Sequence, residues 1–251
     1  MNRIEDYRSL AVDVVGWLCK YANDNNVKSF VVGVSGGIDS AVSSTLAAKT
    51  GLPVYAVGMP LNQKVEQETL SDAHLFWLES LYPNVKKLKA DLSETYAKLM
   101  SDLTKEFTLE YTGNPMAKAN TKSRLRMVTL YHVAANVGGI VVGTGNKVED
   151  YGVGFYTKYG DGGVDIAPIA DLYKSEVWEL GEYLGVDQRI VDAQPTDGLW
   201  DDSRTDEAQL GASYEQLEEA MEKGTGPAVE ILNRFNKLNK HKMNPIPTFI
   251  L

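Results

Sequence analysis

Residues Ser29 to Ser40 read Ser-Phe-Val-Val-Gly-Val-Ser-Gly-Gly-Ile-Asp-Ser, and the residues that follow are again mostly apolar. The β-branched run predicts a buried strand, the paired glycines predict a tight turn, and the stretch from Ala41 to Ala48 predicts a helix. Glycine lets backbone amides approach an anion closely, and the first amides of a helix have no partner within it. The junction therefore predicts a phosphate-binding site.

The side chains of this turn refine the prediction. Ser35 and Ser40 add hydroxyl donors, whereas Asp39 would repel phosphates unless it held a Mg²⁺ ion that bridges to them. The loop is not a Walker A motif, because position 39 is an acid. A lysine that neutralises the phosphates must therefore come from elsewhere in the chain. An ordinary strand-to-helix turn capped by Asp39 or Ser40 is the alternative.

The loop resembles the Ser-Gly-Gly-x-Asp-Ser loop of the N-type ATP pyrophosphatases. Members of that superfamily cleave ATP between the α- and β-phosphates in several different chemistries. The resemblance thus implies ATP as a co-substrate and leaves the acceptor open.

Composition narrows the class of protein. The chain has 251 residues, enough for one large α/β domain or two small ones. Without a repeat or a linker, a single domain spanning 1–251 is the simplest expectation. With 25 basic and 34 acidic residues the net charge is −9, which argues against a nucleic-acid partner because such proteins usually carry a basic face.

Cysteine and hydropathy patterns point to the cytoplasm. The single cysteine, Cys19, rules out a disulfide within the chain, and its apolar helical neighbours favour a core thiol. No stretch approaches the roughly 18 apolar residues of a membrane span, and the first residues lack the apolar core of a signal peptide. We therefore expect a cytoplasmic protein without a membrane partner.

Three further stretches predict strands. Val54 to Met59 is a second continuous apolar run, Val85 to Ala90 is predicted as the third strand, and Gly139 to Asn146 is an apolar strand ending in glycines and a hydroxyl, with helical patterns between them. This order predicts an α/β fold with a doubly wound, mostly parallel sheet and helices on both faces. Ligands in such folds bind at the carboxyl ends of the strands. Thr144 should lie near the first loop, and Glu149 should then reach a metal held by Asp39.

Four other features of the sequence are candidates for ligand binding or for closing over a ligand. Phe155 to Asp165 mixes three aromatics, three glycines, two acids and a lysine, a composition suited to stacking on a flat ring and to binding ribose hydroxyls. Lys174 opens a predicted helix, where the dipole disfavours a cation, so it is a candidate for the missing phosphate-binding lysine. Gln194 to Asp206 has the length and polarity of a lid. Arg124 and Arg126 are either a solvated helix face or ligands for an acidic substrate.

Taken together, these stretches make nearly the whole chain resemble an ammonia-dependent NAD synthetase. The resemblance is carried by Ser35-Gly-Gly-Ile-Asp-Ser40, Asn120-Thr-Lys-Ser-Arg-Leu-Arg126, Val142-Gly-Thr144, Phe155-Tyr-Thr-Lys-Tyr-Gly-Asp-Gly-Gly-Val-Asp165, Leu172-Tyr-Lys174, Pro195-Thr196, Thr205-Asp-Glu-Ala-Gln-Leu-Gly211 and Ser213-Tyr214. The first loop is shared across the superfamily, whereas the Phe155 to Asp165 run is far more specific to this family.

The resemblance implies an adenine nucleotide alpha hydrolase-like fold, a homodimer and a set of site residues. Catalytic roles fall to Asp161 and Lys174, and Mg²⁺ is held by Asp39 and Glu149. The implied ATP-binding residues are Gly33, Val34, Ser35, Gly36, Gly37, Ile38, Asp39, Ser40, Thr144, Lys174 and Thr196. The implied deamido-NAD contacts are Arg124, Lys158, Asp165, His241 and Lys242.

The implied reaction adenylates the nicotinate carboxylate of deamido-NAD and then replaces AMP with ammonia. Free ammonia is expected, unless a partner subunit delivers it, because the chain has neither the length for an amidotransferase domain nor a cysteine outside the Cys19 context. Three alternatives stay open: a GMP-synthetase-like amidation, tRNA thiolation, and a nucleotide-binding regulator without turnover. Thiolation would favour a reactive cysteine and a basic surface, and the sequence shows neither.

Overall fold

The computed structural model describes residues 4–63, 65–200 and 204–250. A four-stranded parallel sheet lies at its centre, in the order β3-β2-β1-β4. The strands are β1 Ser29–Gly33, β2 Val54–Gly58, β3 Val85–Lys89 and β4 Gly139–Val142. The central strand β1 pairs on one side with β2 and on the other with β4, where Val32 lies opposite Val142. The four predicted strands are thus confirmed.

Helices connect and cover the strands. Their bounds are α1 Tyr7–Asp24, α2 Ile38–Lys49, α3 Val65–Leu81, α4 Ser93–Glu106, α5 Leu109–Thr112, α6 Pro115–Val137, α7 Lys174–Leu184, α8 Gln188–Val191, α9 Asp206–Leu210, α10 Tyr214–Lys223 and α11 Val229–Met243, with a π-helix at Val148–Val153. The short helix α5 was not predicted. Asn114 then caps α6 by accepting the amides of Met116 and Ala117 at 2.9 and 3.3 Å, with Pro115 at the first helical position.

Both faces of the sheet are covered, as a doubly wound fold requires. Successive side chains of a strand point to opposite faces. Phe30 and Val32 of β1 accordingly join one core cluster, built with α1, α2 and α7. Val31 joins a second cluster on the other face, packed against Met127 and Leu130 of α6. The chain therefore forms an α/β sheet sandwiched between two helical layers.

A third apolar cluster lies beyond the sheet. It joins the π-helix to α10 and α11 through Val148, Val153, Leu217 and the buried ring of Tyr214. This cluster matters for function because it brings the C-terminal helices against residues that follow β4.

Two single residues differ in how deeply they are buried. The Cys19 thiol is only half-buried, with Sγ 3.7 Å from the carbonyl oxygen of Thr50, so it lies at the margin of the core and not within it. His74 is a packed residue, 1% exposed. Across the residues that the structure describes, no helix is both long and apolar enough to cross a lipid bilayer.

Candidate active site

The glycine loop lies at the carboxyl end of the central strand. Ser35 and Ser40 lock it from within: their hydroxyls are 3.0 Å apart, and the Ser40 hydroxyl accepts the Ser35 amide at 3.1 Å. The Gly37 amide donates to the Ser35 hydroxyl at 3.2 Å. Helix α2 starts directly afterwards, with Gly37 as its N-cap and no side chain capping it. The first amides of α2 are thereby left without a capping side chain, as an anion-binding loop requires.

Gly36 is needed for both its conformation and its size. Its φ is +90°, which side-chain-bearing residues rarely adopt. A Cβ at this position would lie 2.6 Å from the carbonyl oxygen of Gln67 and 2.9 Å from the amide of Ser71, both in α3. The loop therefore presses against α3 as closely as a glycine permits.

Lys174 reaches this loop from α7. Its ammonium forms ion pairs with Asp39, in the first turn of α2, and with Glu149 at 3.4 Å. The side chain is 2% exposed. Burial by itself would lower the pKa of Lys174, but the charges of Asp39 and Glu149 outweigh it and hold the pKa above its usual value. The group is thus a permanently charged cation, although it occupies the unfavourable N-terminal position of its helix.

The π-helix brings Glu149 to Lys174. Its start is capped by Asn146, whose side-chain oxygen accepts the amides of Val148 and Glu149 at 3.1 and 3.2 Å. The amide nitrogen of the same side chain donates to Asp39 at 3.3 Å. A π turn inserts an extra residue relative to an α-helix and is frequent at functional sites. Here it connects the end of β4 with both acids of the ion-pair cluster.

Sequence reasoning missed two further members of this cluster. The Tyr214 hydroxyl donates to Glu149 at 2.7 Å and lies 3.4 Å from Asp206. Burial, and then the charge of Glu149, raise the pKa of Asp206 to about 7. Ser213 and Gln216 form a capping box at the start of α10, a pattern that is visible in sequence but does not show which side of the helix meets the acids.

The donor chemistry of this cluster fits a magnesium ion. Mg²⁺ prefers carboxylate oxygens and typically takes one or two of them, together with substrate phosphates and water. Asp39 and Glu149 offer two carboxylates beside the glycine loop. Within the described ranges, no group of three or more acidic, histidine or cysteine side chains is arranged to hold a metal ion by itself. Substrate oxygens would therefore have to complete the coordination.

Asp161 lies in a second polar group, on the loop that precedes α7. Its carboxylate accepts hydrogen bonds from the Ser123 hydroxyl and, at 3.2 Å, from the Thr157 amide. Surrounding protein raises the pKa of Asp161, against the opposing effect of these hydrogen bonds, although the residue remains open to solvent. Both donors belong to stretches that the sequence predicted to act together.

Four of the five predicted deamido-NAD residues lie near Asp161. Arg124 donates to the carbonyl oxygen of Lys158 at 3.2 Å, and the Lys158 ammonium donates to that of His241 at 3.3 Å. Lys242 donates to the carbonyl oxygen of Tyr156 at 2.6 Å. Burial lowers the pKa of Lys242, while the charge of Asp161 opposes that shift. These hydrogen bonds link the four residues to one another and to the loop that carries Asp161, and the charge of Lys242 acts on that acid.

Asp165 is placed differently. Its carboxylate accepts the Tyr131 hydroxyl at 3.0 Å and the amide of Val141, in β4, at 2.8 Å.

Thr144 follows β4 by two residues, at the same edge of the sheet as the glycine loop. Arg126, which the sequence left undecided, is partly buried and donates to the Gln63 side chain at 2.9 Å.

The predicted lid is irregular where it is described and packs against two helices. Lys122 of α6 donates to the carbonyl oxygen of Leu199 at 3.0 Å. A methyl group on Gly198 would lie 3.0 Å from the side-chain oxygen of Gln67. The Thr196 hydroxyl donates to the carbonyl oxygen of Arg204 at 3.2 Å. The part of the predicted lid at 201–203 lies outside the described residues.

Comparisons with known proteins show which family the chain resembles. The family model described as NAD synthase matches residues 10–250. The chain is 38% identical over 233 residues to the NH(3)-dependent NAD(+) synthetase of Carboxydothermus hydrogenoformans, covering 91% of this chain and 92% of that relative. Among solved structures, the NMN synthetase of Francisella tularensis superposes with a TM-score of 0.87 at 32% identity, covering 99% and 100% of the two chains. The NAD+ synthetase of Burkholderia pseudomallei gives 0.76 at 28% identity, covering 95% and 90%.

Proposed function

The chain belongs to the NAD synthase family, and from that premise we propose that it amidates deamido-NAD to NAD with ammonia and ATP. One observation carries the proposal: the buried Lys174 ammonium lies between Asp39 and Glu149, beside the glycine loop. A fixed cation there suits a reaction in which negative charge grows on a leaving pyrophosphate. The products besides NAD are AMP and pyrophosphate.

The first half-reaction activates the carboxylate. An oxygen of the nicotinate carboxylate attacks the α-phosphorus of ATP, the bond to the β-phosphate oxygen breaks, and pyrophosphate leaves. Lys174 and the loop amides from Gly33 to Ser40 stabilise its charge. A Mg²⁺ ion held by Asp39 and Glu149 would neutralise further phosphate charge when bound. We assign Thr144 and Thr196 to the ATP side as well.

The second half-reaction forms the amide. Ammonia attacks the acyl carbon of the adenylate, the bond to the AMP oxygen breaks, and the nitrogen loses a proton. Asp161 lies among the basic residues assigned to the dinucleotide and is the acid nearest to this chemistry in our proposal. Lys158, Lys242, Arg124 and His241, with Asp165 outside their group, would position deamido-NAD.

A second candidate acceptor is nicotinate mononucleotide, whose amidation would give NMN by the same chemistry. The observation that favours it is the superposition on the NMN synthetase, with a TM-score of 0.87 over nearly the full length of both chains. Both acceptors carry the same pyridine carboxylate and differ in the adenylyl half. The ATP site would be unchanged between the two reactions.

Product analysis with the two acceptors tests the proposal. Purified protein receives ATP, Mg²⁺ and either deamido-NAD or nicotinate mononucleotide, with ammonium, glutamine or no nitrogen source. We expect NAD to form with ammonium and not with glutamine. We also expect kcat/KM for deamido-NAD to be higher than kcat/KM for nicotinate mononucleotide. A higher kcat/KM for nicotinate mononucleotide would select the second candidate. Amide formation from neither acceptor would overturn both.

A further inference from the structure

Tyr214 is an aromatic residue whose hydroxyl bonds to an acid of the Lys174 cluster. It begins α10 and is 1% exposed. Its hydroxyl donates to Oε1 of Glu149 at 2.7 Å, and the ammonium of Lys174 lies 4.9 Å from the centre of its ring. A single side chain thus contacts both members of the Glu149 and Lys174 pair, by a hydrogen bond and by a cation–π contact.

Tyr214 is itself held from several sides. Its backbone amide donates to Glu207 at 3.0 Å, and its ring packs edge-on against Trp178 at 6.1 Å between centres. The capping box of Ser213 and Gln216 fixes the first turn of α10 around it. A ring restrained in this way presents its hydroxyl in one direction, so the acid that accepts the bond has a preferred orientation as well.

The hydroxyl has one proton and two carboxylate neighbours. It donates at 2.7 Å to Glu149, whereas Asp206 is 3.4 Å away. The other oxygen of Asp206 is buried and has no hydrogen-bond partner among the residues that the structure describes. The Tyr214 hydroxyl therefore donates its proton to Glu149 and not to Asp206. The position of the Glu149 carboxylate thus depends on α10.

We propose that Tyr214 is a positioning residue for the ATP site. Its hydroxyl orients the Glu149 carboxylate and its ring supports the Lys174 ammonium, in the arrangement that receives the phosphates. The assignment of these two groups to ATP rests on the proposed function. Tyr214 does not itself contact substrate in this account and acts through its neighbours.

A purely structural role makes a different prediction. Tyr214 also fills the third apolar cluster beside Leu217. If filling that space were its whole role, Tyr214→Phe would keep the ring and leave ATP binding unchanged. The hydroxyl is therefore the group to remove.

The test measures binding of ATP with Mg²⁺ by calorimetry, together with kcat and KM, in Tyr214→Phe. We expect ATP affinity and kcat to fall about tenfold or more, the scale of a hydrogen bond to a charged group, while KM for ammonium stays within twofold. The matched control is Tyr183→Phe, which removes a phenol hydroxyl from a 48% exposed side chain of α7. ATP affinity and kcat within twofold of wild type in folded Tyr214→Phe would overturn the proposal.

A second comparison separates the orientation of Glu149 from general damage to the ATP site. In a Glu149→Gln background, adding Tyr214→Phe should change ATP affinity less than twofold, because the acid that the hydroxyl orients is already gone. An undiminished tenfold loss there would also overturn the proposal. Binding of ATP needs no acceptor, so these results stand even if wild type forms neither NAD nor NMN, a failure that would count against the proposed function alone.

Discussion

At the residue scale, the site depends on a few side chains in unfavourable surroundings. Lys174 is a buried cation at the positive end of its helix. Asp39 and Glu149 offset the cost of burying the cation and the cost of placing it near the positive end of the helix dipole, since paired charges tolerate burial far better than single ones. Local sequence rules had marked Lys174 as misplaced, and its partners in the structure supply the reason.

Removal of that cation gives the first prediction. Lys174→Met keeps most of the side-chain volume and should lower kcat by about 10²-fold, because the leaving pyrophosphate loses its fixed positive charge. The control is Lys105→Met, in which an exposed lysine of α4 is changed. Steady-state kinetics on folded protein, checked by circular dichroism, give the answer. An unchanged kcat would remove Lys174 from the mechanism.

Gly36 gives the second prediction. Gly36→Ala and Gly51→Ala both place alanine at positive φ, at a cost of about 1 kcal/mol each, but only Gly36 has backbone atoms within 3 Å of the added methyl group. We expect Gly36→Ala to lower the free energy of unfolding by roughly 1–3 kcal/mol more than Gly51→Ala does. Gly36→Ala should also weaken ATP binding, whereas Gly51→Ala should leave ATP binding intact. Urea unfolding and calorimetry measure the two effects. Equal losses in both variants would contradict the close packing.

At the element scale, α3 supports the glycine loop through a buried histidine. His74 lies 3.0 Å from the Ser44 hydroxyl of α2 and stacks on Trp77. Burial is the main cause that lowers its pKa from 6.5 to about 4. Between these two values the unfolded chain binds a proton that the folded chain does not, so folding stability falls as the pH drops through that window.

The third prediction follows from this fall of folding stability with decreasing pH. His74 should cost about 3 kcal/mol of stability as the pH falls from 6.5 to 4. Asp150 and Asp206, whose pKa values burial raises to about 7, act in the opposite direction over a similar range. The measurement is therefore the difference in unfolding free energy between wild type and His74→Gln as a function of pH. We expect that difference to shrink toward pH 4. A His74→Gln difference that stays flat with pH would contradict the account.

At the scale of the whole molecule, the sheet was predictable because apolar strands, glycine turns and helical patterns each leave a local signature. The proximity of Asp39 and Glu149 followed from the same reasoning, since the carboxyl ends of parallel strands share an edge. Lys174 was predicted on a different ground, because the dipole of its helix disfavours a cation at that position. Tyr214 and Asp206 were not predictable in their roles. Asp206 ends the predicted lid and begins α9, and Tyr214 begins α10. Their approach depends on how the C-terminal cluster packs, which has no local sequence signal. The π turn at Glu149 likewise resembles an ordinary helix in sequence.

The fourth prediction concerns assembly. Family resemblance predicts a homodimer, and large apolar side chains such as Leu109, Met116 and Val128 are exposed on the chain by itself, as surfaces that pair with a partner often are. Sedimentation velocity at micromolar concentration should give the mass of two chains. A single-chain mass at that concentration would contradict the prediction.

The most direct test of the central claim follows the oxygen of the acceptor carboxylate. Wild-type protein is incubated with carboxyl-¹⁸O-labelled deamido-NAD, ATP, Mg²⁺ and ammonium, and the AMP is analysed by mass spectrometry. We predict that each NAD formed is matched by one AMP that carries one ¹⁸O atom. The carboxylate oxygen that bonds to the α-phosphorus in the first step leaves with AMP in the second. NAD accompanied by unlabelled AMP, or no NAD at all, would contradict the account.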